Sequence, residues 1–146
     1  MKRVRGERGF TMIELLAVLV ILGILLSIGV LMMQTTISKA KQDAFIASAY
    51  TMKEAARKYA LYHRIDESPV DQVTYQELVD EGLVEKMQDP FTGSMLSEEN
   101  LSYIVFSGIE PVAVCLYAEN YKICGTDDTE EPSSFGQLSR DSITPY

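Results

Sequence analysis

The chain has no tryptophan, one histidine and two cysteines among its 146 residues. One histidine cannot build a zinc site, and the two cysteines lack the CxxC spacing of metal or redox motifs. No Ser/His/Asp set can be proposed, and no phosphate-binding glycine loop occurs. The sequence therefore predicts a protein that is not an enzyme.

Charge is absent from Leu15 to Met33, and proline and glycine are absent from Val30 to Ser68. At about 1.5 Å of rise per residue, the uncharged segment is long enough as a helix to cross a hydrocarbon core of roughly 30 Å. Without a helix breaker, the helix is predicted to run from about Thr11 to about Arg64. Beyond Met33 the pattern becomes amphipathic, and we predict that its stripe of mostly small residues faces a core. The stripe consists of Ile37, Ala40, Ala44, Ala47, Thr51, Ala55, Tyr59 and Tyr62.

The net charge of −8 is unevenly distributed along the chain. Residues 1–14 hold four cations and two acids, whereas residues 15–146 hold nine Lys/Arg and nineteen Asp/Glu, a net charge of −10. A basic head before an apolar span orients the N-terminus to the cytoplasm and the following domain to the outside. The acidic domain argues against direct nucleic-acid binding, which needs a basic surface.

A basic head followed by an apolar run is typical of a secretory signal, but two features differ from one. The run is longer than a signal core, and the residues that follow its end, Leu31 to Gln34, are too bulky for a signal-peptidase site. The small residue that can mark a cut is Gly9, which precedes the run. Cleavage there would leave the whole apolar helix on the mature protein, with Phe10 at its N-terminus.

The junction resembles that of the prepilin family, the type IV pilins and the type II secretion pseudopilins, over roughly residues 1–45. The resemblance implies that a prepilin peptidase cuts after Gly9 and methylates the amine of Phe10. It also implies assembly with copies of itself and with other pilins or pseudopilins on an inner-membrane platform. One departure is Leu31, which stands where many pilins have a helix-breaking proline. The matching residues are Gly9-Phe10-Thr11-Met12-Ile13-Glu14-Leu15-Leu16 and Ile21-Leu22-Gly23-Ile24-Leu25.

Glu14 places a carboxylate at the edge of the apolar span, where an unpaired charge is costly. In a bundle of stacked helices, this carboxylate can pair with the Phe10 amine of a neighbouring subunit, because a free α-amine is mostly protonated at neutral pH. The alternative is a side chain that reaches the cytoplasmic interface without a partner. We assign Glu14 to assembly.

The rest of the sequence predicts an α+β fold, in which the long N-terminal helix packs on an antiparallel sheet of about three strands. Thr74 and Glu77 form a predicted capping box, Gly82 ends that short helix, and a turn follows at residues 89–93. The predicted strands are Ser102–Ser107, Val112–Tyr117 and Tyr121–Cys124. The predicted organisation is a leader (1–9), a transmembrane and polymerisation helix (10–33), an extracytoplasmic domain (34–124) and a polar acidic tail (125–146).

The cysteines lie in the last two predicted strands. A two-residue turn at Glu119-Asn120 sets Cys115 and Cys124 directly opposite, at a non-hydrogen-bonded position where side chains approach closely. An extracytoplasmic domain permits a disulfide there, and the alternative is a pair of buried free thiols. We predict the disulfide.

The tail contains Asp127, Asp128 and Glu130, whose carboxylates are suitable calcium ligands. Some major pseudopilins hold calcium in a C-terminal acidic loop, but EF-hand spacing is absent here and acidic tails are usually solvated. We therefore predict a solvated tail and no cofactor, with calcium binding as the alternative.

These observations predict a structural subunit of a type IV pilus or a type II secretion-like pseudopilus. The alternative is a signal-anchored extracellular binding domain that stays monomeric in the membrane. The Gly9-Phe10 junction together with Glu14 favours the first, because a simple anchor needs neither.

Overall fold

The computed structural model of the protein describes residues 10–63, 70–97, 99–125 and 131–145. The chain forms two compact units, Met1–Ser38 and Lys39–Tyr146, which we call unit 1 and unit 2. The predicted leader, residues 1–9, and the candidate calcium ligands Asp127, Asp128 and Glu130 lie outside the described residues.

The helix α1 extends from Met12 to His63, which confirms the long helix predicted from the absence of proline. In unit 1 the large apolar side chains whose burial the structure describes are exposed, from 45% at Val18 to 92% at Met12. Within the described residues, α1 is the one helix whose length and apolar composition suffice to cross a membrane. An apolar surface of this extent needs lipid or other chains to cover it.

Unit 2 contains an antiparallel sheet with six strands among the described residues. Their order is β1-β2-β3-β4-β6, and β5 pairs with β3. The α+β fold is confirmed, and the three predicted strands are present as β2, β3 and β4. The other three strands are two or three residues long, too short to produce an alternating pattern in the sequence. The strands are β1 Gln72–Thr74, β2 Tyr103–Ser107, β3 Glu110–Tyr117, β4 Tyr121–Ile123, β5 Ser133–Ser134 and β6 Thr144–Pro145.

The short helix α2, Tyr75–Asp80, begins at the predicted capping box. The Glu77 N–H donates to Thr74 Oγ1 at 3.3 Å, and the Thr74 N–H donates to Glu77 Oε2 at 2.8 Å. Gly82 follows the helix with a φ of 68°, a left-handed conformation that favours glycine.

The predicted turn at Asp89–Gly93 is also present, and it ties several parts of unit 2 together. Asp89 is 1% exposed, and its two carboxylate oxygens accept the N–H groups of Phe91 (2.7 Å) and Glu119 (3.1 Å). The Phe91 carbonyl accepts from Lys41 Nζ at 2.9 Å. The buried carboxylate is thus satisfied by backbone donors, as burial of a charge requires.

The face of α1 that packs on the sheet is not the predicted one. Ala40, Ala44, Ala47 and Thr51 are exposed, so the prediction of a core-facing stripe was wrong for most of its members. Larger side chains decide the outcome, because phenylalanine and methionine remove far more apolar area from water than alanine does. The buried residues of α1 are Phe45, Ala49, Met52, Ala55, Ala56 and Ala60.

Residues 131–145 belong to the segment that the sequence assigns to a polar tail, yet they join the sheet through β5 and β6. Phe135, 5% exposed, anchors the segment: its carbonyl accepts from Tyr50 Oη at 3.1 Å, and Lys53 Nζ lies 4.7 Å from its ring centre. Short 3-10 turns at Phe135–Gln137 and Arg140–Ser142 connect the two strands. The buried ring of Phe135 thus helps to hold in unit 2 a segment whose composition is typical of a solvated tail.

Candidate functional site

The first turn of α1 is closed by a capping box between Thr11 and Glu14. The Thr11 N–H and hydroxyl both donate to Glu14 Oε2, at 3.0 and 2.9 Å. The Glu14 N–H lies 3.1 Å from the Thr11 carbonyl oxygen and 3.4 Å from Thr11 Oγ1. These contacts satisfy donors that a helix start leaves without partners. They hold the Glu14 carboxylate at the N-terminal end of α1, where the helix dipole favours negative charge.

Thr11 was missed as a site residue at the level of sequence. The signal was present, because Thr11-Met12-Ile13-Glu14 has the same Thr-x-x-Glu spacing as the box that was recognised at Thr74. The long apolar run that follows makes the charge of Glu14 the more conspicuous feature of this segment. Thr11 orients the carboxylate and is thus a positioning residue for Glu14.

Phe10, the predicted new N-terminus, immediately precedes this box and is 77% exposed. Gly9 lies outside the described residues. The arrangement gathers Phe10 and the Glu14 carboxylate at one end of α1. A carboxylate held there can accept hydrogen bonds or pair with a cation supplied by another chain.

The apolar part of α1 has one hydroxyl between Leu15 and Val30. Ser27 Oγ donates to the Ile24 carbonyl at 2.7 Å, so this polar atom is satisfied inside its own helix. A helix surface without unsatisfied polar groups is suited to lipid and to the apolar surface of other helices.

Cys115 and Cys124 are joined by a disulfide in unit 2, with Cα atoms 4.5 Å apart. The pairs Leu116–Ile123 and Tyr117–Lys122, together with the Ala118 N–H donating to the Tyr121 carbonyl, reproduce the register expected for a turn at residues 119–120. Both cysteines are buried, and Tyr117 Oη donates to Cys124 Sγ at 3.5 Å. The disulfide thus closes the β3–β4 hairpin.

A two-pronged ion pair in unit 2 joins α1 to the C-terminal segment. Arg140 Nε and Nη2 donate to the two carboxylate oxygens of Asp43, each at 2.6 Å. The hydrogen bond from Arg140 holds the pKa of Asp43 below its ordinary value, and the same bond raises the pKa of Arg140. Elsewhere on α1, burial, followed by the charges of Glu77 and Glu81, raises the pKa of Tyr59.

A metal centre is not formed by the residues that the structure describes: they contain no group of three His, Cys, Asp or Glu side chains that could hold an ion. The calcium ligands suggested by the sequence fall on residues outside that part of the chain.

The comparisons with known proteins bear on the N-terminal segment. The family model described as the prokaryotic N-terminal methylation motif matches residues 4–30, which include the Gly9–Phe10 junction and Glu14. Neither the curated proteins nor the solved structures compared with the chain include a match. The matched residues include or adjoin every feature of this N-terminal segment: the basic head, Gly9, Phe10, the Thr11–Glu14 box and the exposed apolar helix. The chain thus carries the prokaryotic N-terminal methylation motif, consistent with the type IV pilin and pseudopilin family.

Proposed function

We propose that this protein is a structural subunit of a type IV pilus or of a type II secretion-like pseudopilus, which polymerises through its apolar N-terminal helix. The observation that carries the proposal is the position of Glu14: a carboxylate held at the start of an exposed apolar helix, inside the methylation motif. A simple membrane anchor has no use for that charge. The role is structural and needs no catalytic residue.

In this proposal, a prepilin peptidase cuts after Gly9 and methylates the amine of Phe10. The new amine then lies in the same turn as the Thr11–Glu14 box. When helices of successive subunits stack, the Glu14 carboxylate of one subunit pairs with the Phe10 amine of the next. In low dielectric such a pair is favourable only while both partners are present.

Before assembly, the subunit crosses the cell membrane once, with its N-terminus in the cytoplasm and unit 2 outside. The basic head and acidic unit 2 support this orientation. An oxidising extracytoplasmic compartment also suits a disulfide between Cys115 and Cys124. The partners are copies of this chain, other pilins or pseudopilins, the peptidase and an inner-membrane assembly platform.

Intact-mass analysis of protein extracted from membranes tests the proposal. We expect a mature chain that begins at Phe10, nine residues shorter than the translated one, with one added methyl group. A chain that begins at Met1, or anywhere beyond Met33, contradicts the proposal.

Two variants at the junction sharpen this measurement. Gly9→Val should leave the leader uncut, because a β-branched side chain fills the space that a small residue leaves for the peptidase. Gly9→Ala is the matched control and should be cut. Sheared filaments from the wild type distinguish the pilus or pseudopilus subunit from a monomeric anchored domain, which would give none.

A further inference from the structure

The disulfide lies on the face of the sheet opposite the main core of unit 2. Leu116 of β3 is buried in that core. Because side chains alternate between the two faces of a strand, its neighbours Cys115 and Tyr117 point to the opposite face. There Cys115, Tyr117 and Cys124 form a second, smaller buried cluster, against which the half-buried Tyr103 of β2 packs. The disulfide thus belongs to a cluster with two tyrosines, apart from the core that packs on α1.

Both sulfur atoms are out of reach of other molecules in folded unit 2. Cys115 is 0% exposed and Cys124 is 1% exposed. The hydroxyl of Tyr117 lies 3.5 Å from Cys124 Sγ. Cys115 lies in β3 and Cys124 directly follows β4, and both strands are internal to the sheet. The strand β3 pairs with β2 on one side and with β4 and β5 on the other, and β4 lies between β3 and β6. Exposure of either sulfur atom therefore requires the sheet to open.

Burial of the sulfur atoms also decides when the bond can form. A disulfide forms and breaks by attack of a thiolate on a sulfur atom of another disulfide, and the rate depends on access to both groups. Once the sheet has formed, a pair of free thiols at these positions would be as inaccessible to an oxidant as the bond is to a reductant. The bond between Cys115 and Cys124 therefore forms before unit 2 folds, and folding then protects it.

Export presents the two cysteines one after the other. This step rests on the proposed function, in which the N-terminus stays in the cytoplasm and the chain crosses the membrane from its N-terminal side. Cys115 then reaches the outside nine residues before Cys124, a distance of about 30 Å in an extended chain. Residues 111–118, which surround Cys115, are uncharged. An extended, uncharged segment of this kind can lie along an apolar surface of another protein.

We propose that an exported thiol–disulfide oxidoreductase oxidises the unfolded chain, with Cys115 as the first thiol to react, and that the folding of unit 2 then closes the bond to exchange. The Cys115 thiolate attacks the enzyme's disulfide, which gives a mixed disulfide and releases one enzyme thiolate. The Cys124 thiolate next attacks the Cys115 sulfur atom, which forms the hairpin disulfide and releases the second enzyme thiolate. The chain loses two electrons and two protons; the electrons reduce the enzyme's disulfide, and the protons pass through water to its two thiolates.

Reduction of the purified full-length protein by dithiothreitol measures access to the bond. Free thiols are counted by mass after alkylation. In detergent we expect reduction to be at least about a hundredfold slower than in the same detergent with enough urea to unfold unit 2, because the sheet opens rarely. Leu78→Ala weakens the core of unit 2 and should speed reduction in detergent at least about tenfold, whereas the matched control Leu22→Ala should be reduced at the wild-type rate. Equal rates for the wild type with and without urea, or for Leu78→Ala and the wild type, overturn the inference.

The order of oxidation and folding is measured in the producing cell, with the wild-type chain. After a pulse of labelled amino acids, samples are alkylated in denaturant to count free thiols, and parallel samples are treated with protease to count folded chains. We expect the disulfide to appear before resistance to protease. Chains that resist protease while both thiols are free overturn the inference. Such a result leaves the proposed function standing, because cleavage after Gly9 and filament assembly are measured separately.

Single cysteine variants test which thiol reacts first. Cys124→Ala lacks the thiol that resolves the mixed disulfide, so a covalent complex with an exported protein that carries a Cys-x-x-Cys motif should accumulate on Cys115. The complex forms before folding, so a loss of stability in the variant does not remove it. Cys115→Ala is the matched control and should accumulate at least about fivefold less of a complex that dithiothreitol separates. No complex, or equal amounts from the two variants, overturns the inference.

Discussion

The protein contains two capping boxes with the same residues and nearly the same geometry. In unit 1, the Thr11 N–H and hydroxyl donate to Glu14 Oε2 at 3.0 and 2.9 Å; in unit 2, those of Thr74 donate to Glu77 Oε2 at 2.8 Å each. Their surroundings differ completely. The helix that follows Thr74 buries Leu78 at 0% exposure, whereas the helix that follows Thr11 leaves Met12 92% exposed.

The two boxes show that local geometry does not assign a role to a carboxylate. Glu77 caps the N-terminus of α2, a helix whose apolar side chains are buried in the core of unit 2. Glu14 completes the start of a helix whose apolar surface is covered by nothing in the described chain. The role of the carboxylate depends on whether the apolar surface of its helix is buried or exposed. The same motif can therefore serve folding in one unit and assembly in the other.

The largest expected effect is on filament assembly, and it distinguishes the Thr11–Glu14 box from the Thr74–Glu77 box. Glu14→Leu makes the apolar span longer, so membrane insertion should be at least as good as in the wild type. Filament assembly should nearly vanish, because the neighbouring Phe10 amine loses its counter-charge, at a cost on the order of 3–5 kcal/mol for a buried pair. The measurement is the ratio of sheared filament to membrane-bound subunit.

Glu77→Leu is the matched control for that experiment. It removes the same type of cap from α2 and should lower the free energy of unfolding of unit 2 by about 1 kcal/mol, with the filament ratio unchanged. If Glu14→Leu keeps the wild-type ratio, Glu14 only reaches the membrane interface and the pairing argument is wrong.

A truncation of leucine in each unit should give the next largest difference. Leu78→Ala removes a fully buried side chain and should lower the free energy of unfolding of unit 2 by about 2–5 kcal/mol. Leu22→Ala, at a position that is 48% exposed, should leave that free energy unchanged. All eight tyrosines lie in unit 2, so tyrosine fluorescence in detergent reports the unfolding of that unit. A comparable loss in Leu22→Ala would mean that the two units do not fold independently.

The parts of the fold that sequence predicts well are those with a strong local signal. The long helix follows from a stretch without proline, α2 from a capping box and a glycine stop, and the strands β2 to β4 from runs of β-branched and aromatic residues. These signals act over a few neighbouring residues and need no knowledge of tertiary packing.

The parts that sequence missed depend on contacts between distant residues. The face of α1 that is buried was set by Phe45 and Met52 against the sheet, and not by the regular alanine spacing. The strands β5 and β6 exist because Phe135 packs against Tyr50, a residue 85 positions earlier in the chain. Thr11 differs from these cases, because its signal is local. The Thr-x-x-Glu spacing predicts a capping box, but the long apolar run beside it is the more conspicuous pattern.

The hairpin disulfide should matter to one unit only. Replacing Cys115 and Cys124 together by alanine frees a loop of nine residues, which should lower the free energy of unfolding of unit 2 by about 2–3 kcal/mol. Reduction of the wild type should produce a similar loss, which separates the effect of the bond from that of the substitution. Quantitative thiol labelling of exported wild-type protein would contradict the pairing, because a bonded pair leaves no reactive thiol.

The smallest effect concerns the pair between Asp43 and Arg140 and its dependence on pH. The hydrogen bond from Arg140 lowers the pKa of Asp43 below 3.8, so the stabilisation that it gives is complete above that value. It is lost as the pH falls through the lower pKa of the folded state, because a protonated carboxyl no longer attracts the guanidinium. Arg140→Gln should therefore destabilise unit 2 at neutral pH, and its difference from the wild type should shrink toward zero in strong acid.

Both side chains of this pair are about half exposed, so the difference is small and sensitive to salt. It should decrease between about 0.01 M and 1 M salt, as the screening length falls from about 30 to about 3 Å. Arg140→Lys keeps the charge but not the two-pronged geometry, and we expect it to fall between Arg140→Gln and the wild type. Tyrosine fluorescence during urea unfolding at several pH values gives the measurement. A difference between Arg140→Gln and the wild type that persists unchanged at pH values well below the pKa of Asp43 would assign the role of Arg140 to packing, because only the ionic part of the contact depends on the Asp43 proton.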